Sequence, residues 1–278
     1  MKKTNMSYLI KKFNFFLFDQ WGVLHDGKKI FKYTNNTLKS IKNKKLTLIS
    51  NTSQTVSEFK IQTLKKINLN YNYFIKIVTA GETLLSIVSN SKQSIISKIV
   101  RQKKAFLISN NNEKQIIKKL KIDLNDYQKC KFILSLSLAP GKNLAPLLKK
   151  FKFLSKNKIP MICTNPDIYT FKNNKRYFQI GYLAKKYSDL GGKVYYIGKP
   201  YKEIFYNSLK KDKKKDTLII GDNLKTDILG GKNCGISTAL VLDGYKKLNK
   251  IKSDYLAFKK IYSSKIKPDY LIKNISII

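Results

Sequence analysis

Cysteine is scarce in this sequence, and its spacing excludes two common kinds of site. The three cysteines, Cys130, Cys163 and Cys234, lie far apart and form no CxxC pair. A disulfide framework or a structural zinc site needs closely patterned cysteines. We therefore expect all three to be ordinary packing residues in a reducing compartment.

Long apolar runs are also absent. No segment approaches the ~18 consecutive apolar residues of a membrane-spanning helix. The first residues, MKKTNMSYLIKKFNFFLFDQWG, place lysines before apolar residues as a secretion signal does, but Lys11 and Lys12 interrupt the run and no small-residue cleavage site follows. We interpret this stretch as a strand, and we expect a cytoplasmic protein with no membrane partner.

Arginine and acidic residues are few beside the lysines. The sequence has 56 Lys plus Arg, of which only Arg101 and Arg176 are arginine, against 17 Asp plus Glu, so its net charge is +39. Such a surplus attracts polyanions without selecting a sequence. The lysines are spread along the whole chain, however, and specific recognition of phosphates and bases favours arginine. We expect no nucleic-acid partner and attribute the charge mainly to overall composition.

Apolar residues make up 42% of the 278 positions, enough for a substantial core, and short apolar runs alternate with longer amphipathic ones. This rhythm predicts βα units, a mostly parallel sheet and hence a doubly wound α/β fold. Helices are predicted within TVSEFKIQTLKKI, NEKQIIKKLK, NLAPLLKKFKFLSK and YKEIFYNSLKK. The predicted strands are Phe13–Phe18, Leu46–Ser50, Ala105–Ile108, Phe132–Leu138, Ile159–Thr164, Val194–Ile197, Thr217–Gly221 and Thr238–Leu242.

Polar residues follow four of these strands, at the end where ligands bind in parallel sheets. The residues are Asp19, then Ser50 with Asn51, then Lys199 within GKP, then Asp222 and Asp227 within GDNLKTD. Each alone is typical of a turn or a helix cap. Together they are the oxygen ligands that Mg²⁺ prefers, beside a hydroxyl and an ammonium that neutralise a phosphoryl group. A carboxylate nucleophile would divide hydrolysis into formation and breakdown of an aspartyl phosphate.

The segments DQWGVLHDG, LTLISNTS, YYIGKP and LIIGDNLKTDILGG resemble the four ordered motifs of the haloacid dehalogenase-like superfamily, which consists mostly of Mg²⁺-dependent phosphatases. IVTAGET and CTNPDIY resemble the start and end of a large α/β cap between the second and third motifs, the arrangement of subclass IIA. The first motif resembles the branch that reads D-x-W-G-V-L-H-x-G. The resemblance implies a Rossmann-like core over residues 1–80 and 181–278 and an inserted α/β cap over residues 81–180.

The resemblance also implies a role for each matching residue. Asp19 would be the nucleophile and a metal ligand, with the Trp21 carbonyl and Asp222 as further ligands, and Asp227 would orient metal-bound water or Lys199. Ser50 and Lys199 would bind the transferring phosphoryl group, with Asn51 nearby. Asn165 and Asp167, in TNPD, are candidate substrate contacts from the cap, although Asx-Pro is also a common turn former.

Trp21 departs from the superfamily pattern. Typical phosphatases of the superfamily have an aspartate there that donates a proton to the leaving oxygen, whereas indole offers one N–H and no useful acid. His25, the one histidine of the sequence, lies in the same loop and is a candidate proton donor, because its unperturbed pKa suits neutral pH. The alternative is that His25 only packs or forms hydrogen bonds in the loop.

The sequence thus predicts a Mg²⁺-dependent phosphatase acting on a small phosphorylated metabolite, with sugar phosphates among the candidates. The alternative is a catalytically impaired, phosphate-binding relative in which Trp21 marks the loss of turnover. A polyanion- or RNA-binding protein is the least favoured interpretation, since no nucleic-acid motif accompanies the charge. The oligomeric state stays open, with a homodimer formed through the cap as one candidate.

Overall fold

The computed structural model describes residues 1–172, 175–209 and 211–277, and the chain divides into two compact units. The first, which we call the core unit, comprises Met1–Ser50, Lys60–Val78 and Lys199–Ile278. The second, which we call the inserted unit, comprises Asn51–Phe59 and Thr79–Gly198. The chain therefore leaves the core unit after Ser50, returns to it for Lys60–Val78, and leaves it again until the third sequence motif at Lys199.

The strands are short, and most end close to where the apolar runs end. They are β1 Lys2–Lys3, β2 Phe15–Phe18, β3 Lys45–Ser50, β4 Lys76–Thr79, β5 Lys104–Ile108, β6 Asp123–Leu124, β7 Phe132–Ser135, β8 Met161–Cys163, β9 Tyr169–Lys172, β10 Lys175–Phe178, β11 Val194–Tyr196, β12 Thr217–Gly221, β13 Ser237–Val241 and β14 Tyr270–Ile272.

The helices fill the connections between strands. They are α1 Met6–Lys12, α2 Thr34–Ser40, α3 Val56–Phe59, α4 Ala80–Asn90, α5 Ile95–Val100, α6 Lys114–Leu120, α7 Ala145–Lys156, α8 Ile180–Asp189, α9 Lys202–Ser208, α10 Leu229–Asn233, α11 Leu242–Asn249 and α12 Asp254–Ser263. Two π-helical turns, Lys60–Leu64 and Leu224–Ile228, extend α3 and precede α10. Within the described residues, every helix is too short or too polar to cross a membrane.

The core unit is built on a seven-stranded sheet in the order β1-β14-β13-β12-β2-β3-β4. The pairs from β1 to β3 along this order are all parallel. β2 is an interior strand, between β12 and β3, and the side chains of Phe16 and Phe18 are fully buried. The strand order reverses direction at β2, which is the switch point where ligands bind in open α/β sheets.

The inserted unit has a five-stranded sheet in the order β11-β8-β7-β5-β6, with parallel pairing throughout, and a separate antiparallel hairpin of β9 and β10. Its core cluster combines Ile133 and Met161 from the sheet with Phe151 from α7 and Leu183 and Tyr187 from α8. Both units are thus α/β layers, which confirms the predicted fold class of a doubly wound core with an inserted α/β cap.

All eight predicted strands are present, and their ends differ from the prediction by at most three residues. The interpretation of the whole N-terminal stretch as a strand is wrong. Its middle forms α1, because the Asn5 side chain accepts a hydrogen bond from the Tyr8 backbone N–H and caps a helix that buries Met6 and Leu9. Only Phe15–Phe18 of that stretch is strand.

The position of β11 also differs from expectation. We expected Val194–Ile197 to end at the same edge of the core sheet as the other motif strands, with the core resuming near residue 181. Instead, β11 pairs with β8, and the compact inserted unit extends to Gly198. Lys199 is therefore the first residue of the returning core segment rather than the residue after a core strand.

Candidate active site

Asp19 lies at the carboxyl end of β2, an interior strand of the core sheet. The last three side chains of β2 are fully or nearly fully buried, and Asp19 follows them directly. The Asp19 backbone N–H donates to the Ile220 carbonyl of β12 at 2.9 Å. This hydrogen bond continues the parallel ladder beyond the last strand residue. Asp19 is 8% exposed, so its carboxylate is largely shielded from water.

Lys199 bridges two carboxylates of the core unit. Its Nζ atom lies 2.6 Å from Oδ1 of Asp19 and 2.7 Å from Oδ1 of Asp227, and the lysine is 3% exposed. Asp227 is fully buried and its second oxygen accepts from the Asn223 backbone N–H at 3.2 Å. The ammonium thus has two anionic acceptors, the arrangement that makes a buried charge tolerable.

The surroundings raise the pKa values of both Asp19 and Lys199. Burial, together with the charge of Asp227, raises the pKa of Asp19 to about 7, although Lys199 opposes the shift. Burial alone would lower the pKa of Lys199, but the charges of Asp19 and Asp227 outweigh it and raise that pKa above its usual value. Lys199 is therefore a permanent cation, and Asp19 needs further positive charge to stay fully ionised at neutral pH.

A third carboxylate completes an acidic cluster. One oxygen each from Asp19, Asp222 and Asp227 lie within 4.8 Å of one another, and all three residues are buried. Glycines make this approach possible: a Cβ atom on Gly22 would lie 2.0 Å from Oδ2 of Asp222, and one on Gly221 would lie 2.2 Å from Cβ of Asp227. Gly22 also has a φ of +77°, which disfavours any other residue.

The cluster fits a divalent cation. If fully ionised, the three buried carboxylates would exceed the charge of the Lys199 ammonium by two negative charges. Such an excess is costly unless another cation neutralises it. Oxygen donors from two or three carboxylates are what Mg²⁺ and Ca²⁺ bind, so the donor chemistry and the charge both suit an ion of this type.

Ser50 ends β3 next to β2 and is joined to the first motif by its side chain. Its Oγ accepts a hydrogen bond from Nε2 of Gln20 at 2.7 Å, and Oε1 of Gln20 lies 3.0 Å from Nε2 of His25. Nδ1 of His25 accepts from the Gly27 backbone N–H at 2.9 Å. A tight loop brings these residues together, because the Gln20 carbonyl accepts from the backbone N–H of Leu24 at 2.8 Å.

His25 is not placed as a proton donor to a substrate. It is 1% exposed, both ring nitrogens have partners within its own loop, and burial lowers its pKa to about 4. At neutral pH the ring is therefore neutral and its single N–H is directed to Gln20. This geometry favours the alternative in which His25 forms hydrogen bonds in the loop.

Trp21 fills the same loop. Its ring lies edge-to-face with His25 at a centroid distance of 5.5 Å, and a Cβ atom on Gly27 would lie 2.1 Å from its six-membered ring. Gly27, with a φ of +91°, is needed for both its conformation and this contact. The indole packs within the loop that carries the Asp19 motif and supplies no carboxyl group at the position where the superfamily resemblance implies one.

The remaining predicted contacts lie in the inserted unit. Asn51 donates from Nδ2 to Oδ1 of Asp167 at 3.2 Å, and the Asp167 backbone N–H donates to Oδ1 of Asn165 at 3.0 Å. The second of these is the Asx turn expected of an Asn-Pro sequence. Asn51 therefore belongs with Asn165 and Asp167, whereas Asp19, Ser50, Lys199, Asp222 and Asp227 are brought together in the core unit.

Sequence reasoning missed Gln20. A glutamine between the predicted nucleophile and Trp21 has no chemistry of its own, so nothing marked it as functional. The register of the parallel strands offers a partial signal: Phe18 of β2 pairs with Leu48 of β3, so Gln20 and Ser50, each two residues further along, lie side by side at one edge.

Comparison with known proteins agrees with the motifs. Two family models match: "Haloacid dehalogenase-like hydrolase" over residues 16–123 and "HAD-hydrolase-like" over residues 196–276. Among characterised proteins, the chain is similar to ribonucleotide monophosphatase NagD of Escherichia coli, with 36% identity over 110 residues. That match covers 38% of this chain and 43% of NagD, so the chain spans less than half the length of this relative.

Solved structures share the fold along nearly the whole chain. A haloacid dehalogenase-like hydrolase from Brucella suis superposes with a TM-score of 0.79 at 20% identity, covering 98% of each chain. A protein from Cytophaga hutchinsonii, described as a possible sugar phosphatase, also gives a TM-score of 0.79 at 22% identity, covering 100% of this chain and 99% of its own. With both family models matching the segments that carry the acidic cluster, the chain belongs to the haloacid dehalogenase-like hydrolase superfamily.

Proposed function

We propose that this protein is a Mg²⁺-dependent phosphatase that hydrolyses a small phosphorylated metabolite through an aspartyl phosphate on Asp19. The observation that carries the proposal is the arrangement of Asp19 within 2.6 Å of Lys199, in an acidic cluster with Asp222 and Asp227. A carboxylate is a useful nucleophile toward phosphorus only where positive charge gathers around it. This cluster supports that condition better than any single motif does.

Asp19, Asp222 and Asp227 would hold the Mg²⁺, with the Trp21 carbonyl as the further ligand that the superfamily resemblance implies. When bound, the ion would neutralise charge on the phosphoryl oxygens. It would also keep Asp19 ionised, because added positive charge lowers a carboxyl pKa that burial has raised to about 7.

The side chains divide the remaining work. An Asp19 oxygen forms a bond to phosphorus while the bond from phosphorus to the leaving oxygen breaks, and water later releases inorganic phosphate and regenerates the carboxylate. Lys199 stays charged and offsets the negative charge on Asp19 and on the phosphoryl group. Ser50 and Asn51 are proposed to bind phosphoryl oxygens, and Asp227 to hold Lys199 in place.

Trp21 shapes the expected substrate preference. Without an acid at this position, the leaving oxygen gains no proton from the loop, a loss that usually costs about 10²–10⁴-fold in rate. Phosphates with good leaving groups should therefore react faster than alkyl phosphates. The packing of the indole on Gly27 and His25 favours one second candidate, a phosphate-binding relative with little turnover.

The substrate class rests on the relatives and the inserted unit. The similar protein NagD is named a ribonucleotide monophosphatase, which supports a phosphomonoester of a small metabolite, and sugar phosphates are included in the proposal. Asn165 and Asp167 are proposed to select the substrate. Binding of RNA or another polyanion is less favoured, and a salt-sensitive association with RNA would be its sign.

Hydrolysis of 4-nitrophenyl phosphate, with and without Mg²⁺, tests the proposal. We expect Mg²⁺-dependent turnover that falls more than about 10³-fold in Asp19→Asn, because the nucleophile is lost. Asp189→Asn is the matched control, since Asp189 only forms an exposed ion pair with Lys185 on α8, and it should leave turnover unchanged. Binding of Mg²⁺ and inorganic phosphate without turnover would instead establish the second candidate.

A further inference from the structure

We infer that Gln20 and His25 are positioning residues that fix the Ser50 hydroxyl as a hydrogen-bond donor toward the phosphoryl group. The inference rests on the proposed function for its chemical purpose. Its structural basis is a chain of three hydrogen bonds within the core unit, from Gly27 to His25, from His25 to Gln20 and from Gln20 to Ser50. We call this chain the Ser50 relay.

The direction of the relay follows from one backbone group. A backbone N–H can only donate, so the 2.9 Å contact from Gly27 makes Nδ1 of His25 an acceptor. The neutral ring then carries its proton on Nε2 and donates to Oε1 of Gln20 at 3.0 Å. With its oxygen occupied in this way, the Gln20 amide turns its NH₂ group to Ser50, where it donates to Oγ at 2.7 Å.

The Oγ atom of Ser50 therefore accepts a hydrogen bond from Gln20. A serine hydroxyl has one proton and two acceptor positions, so accepting from Gln20 leaves the proton to be donated to a different group. A glutamine turned the other way would present its carbonyl oxygen and take up that proton. The relay therefore decides whether Ser50 can donate to an anionic phosphoryl oxygen, which itself can only accept.

The loop is built to hold the relay in this state. The Gly22 backbone N–H donates to the His25 carbonyl at 2.9 Å, and the Trp21 ring covers His25 from one side. His25 is almost completely buried, so its ring cannot rotate without breaking these contacts. The single histidine of the sequence thus supplies one donor and one acceptor on a rigid ring, which an aliphatic side chain cannot do.

A double-mutant cycle tests the inference. Gln20→Leu keeps a similar volume and removes both amide groups, and we expect kcat/KM for 4-nitrophenyl phosphate to fall about 10- to 100-fold, as for a lost hydrogen bond to a charged group. The kcat/KM of Ser50→Ala should fall by at least as much. If Gln20 acts through Ser50, the double variant should resemble Ser50→Ala alone.

If the losses in kcat/KM of the two single variants multiply in the double variant, the inference is overturned, because Gln20 then acts independently of Ser50. Gln128→Leu changes the same residue type at an exposed position of the inserted unit and should leave kcat/KM unchanged. His25→Leu should reproduce most of the Gln20→Leu loss, whereas a merely structural role would lower thermal stability without this coupling to Ser50.

A second measurement does not depend on turnover. Because His25 is the one histidine of the chain, ¹⁵N labelling of histidine gives a single pair of ring signals in NMR. We expect the neutral tautomer with the proton on Nε2 at pH 7, and the same tautomer after addition of Mg²⁺ and inorganic phosphate. A proton on Nδ1, or a charged ring, would overturn the inference even in an active enzyme.

The two readouts separate the possible failures. An inactive wild-type protein with the expected tautomer would refute the proposed phosphatase activity and leave the relay intact. In that case the cycle is repeated with the Kd of inorganic phosphate in the presence of Mg²⁺, where the same non-additivity between Gln20 and Ser50 is expected. Additive effects on that Kd would overturn the inference.

Discussion

Both units of this protein bury carboxylates, but the groups that surround these carboxylates differ between the units. In the core unit, Asp19, Asp222 and Asp227 are gathered within 4.8 Å, with Lys199 between two of them. In the inserted unit, Glu58 and Glu113 are also buried, at 5% and 3% exposure, and each accepts hydrogen bonds from neutral donors.

The carboxylate of Glu58 shows what a structural acid looks like. It accepts from the backbone N–H groups of Thr55 at 3.0 Å and Gln115 at 2.8 Å, and from the Thr55 hydroxyl at 3.0 Å. It therefore caps α3 and fixes the start of α6. Glu113 likewise accepts from the hydroxyls of Ser109 and Ser137 at 2.6 and 3.0 Å, although burial raises its pKa.

The difference teaches how to recognise a site among buried acids. An acid whose oxygens are occupied by backbone and hydroxyl donors is satisfied as it stands, and it stabilises the fold. Acids that crowd together around one ammonium repel each other, so such a cluster indicates a place suited to a further cation. Burial and a shifted pKa occur in both cases, so neither alone marks function.

Removing the ammonium should have the largest effect on this contrast. In Lys199→Met we expect turnover to fall by at least about 10²–10³-fold, and the Mg²⁺-free protein to lose about 3–5 kcal/mol of stability, because buried carboxylates lose their partner. Mg²⁺ should restore part of that stability. Urea unfolding with and without Mg²⁺ measures this, with Lys185→Met, an exposed ion-pair partner, as the control. Equal stability losses in the two variants would contradict the contrast.

The pH dependence of stability tests whether His25 is buried and neutral in the folded protein, unlike a histidine exposed to water. Below pH 6.5 the unfolded chain binds a proton on His25, whereas the folded ring stays neutral down to its pKa of about 4. Stability is therefore lost as the pH falls through this window, by about 3 kcal/mol in total. His25→Gln should lack this loss, so the difference between the two unfolding curves should shrink from pH 7 to pH 4. A constant difference would mean that His25 titrates normally.

Crowding the acidic cluster should weaken the cation site. In Gly22→Ala, the added Cβ would fall 2.0 Å from Oδ2 of Asp222, so we expect the Mg²⁺ concentration for half-maximal activity to rise about 10–100-fold. Gly191→Ala is the matched control, because Gly191 has a similar φ of +83° with no atom within 4 Å of the added Cβ. An equal change in both variants would attribute the effect to backbone strain alone.

The smallest effect is expected from a change to an acid whose oxygens already accept hydrogen bonds, and this effect should be on stability only. Glu58→Gln turns an amide NH₂ toward groups that donate to the carboxylate, so we expect a loss of about 1–3 kcal/mol in unfolding free energy. Turnover and the Mg²⁺ requirement should not change. A raised Mg²⁺ requirement in this variant would show that the acids of the two units are not as different as their contacts indicate.

Much of the core site was predictable because its residues follow apolar runs directly. Asp19 comes after β2, and Asp222 after β12, and parallel neighbours must end at the same edge of the sheet. Gln20 was not predictable, since its role depends on which end of its amide faces Ser50, and that depends on a histidine five residues later. The inclusion of Asn51 with Asp167 also needed the tertiary structure, because Ser50 and Asn51 are adjacent in sequence but belong to different units.

By itself, the sequence determined the α/β class, eight of the strands and the residues of the acidic cluster, because apolar periodicity and short motifs are local properties of the chain. Only the tertiary structure decided that β11 joins the sheet of the inserted unit, that Lys199 nevertheless bridges Asp19 and Asp227, and that His25 holds Gln20 rather than a substrate. The physical reason is that strand pairing and hydrogen-bond direction depend on partners far along the chain or on exact orientation, and neither is encoded in the spacing of residue types.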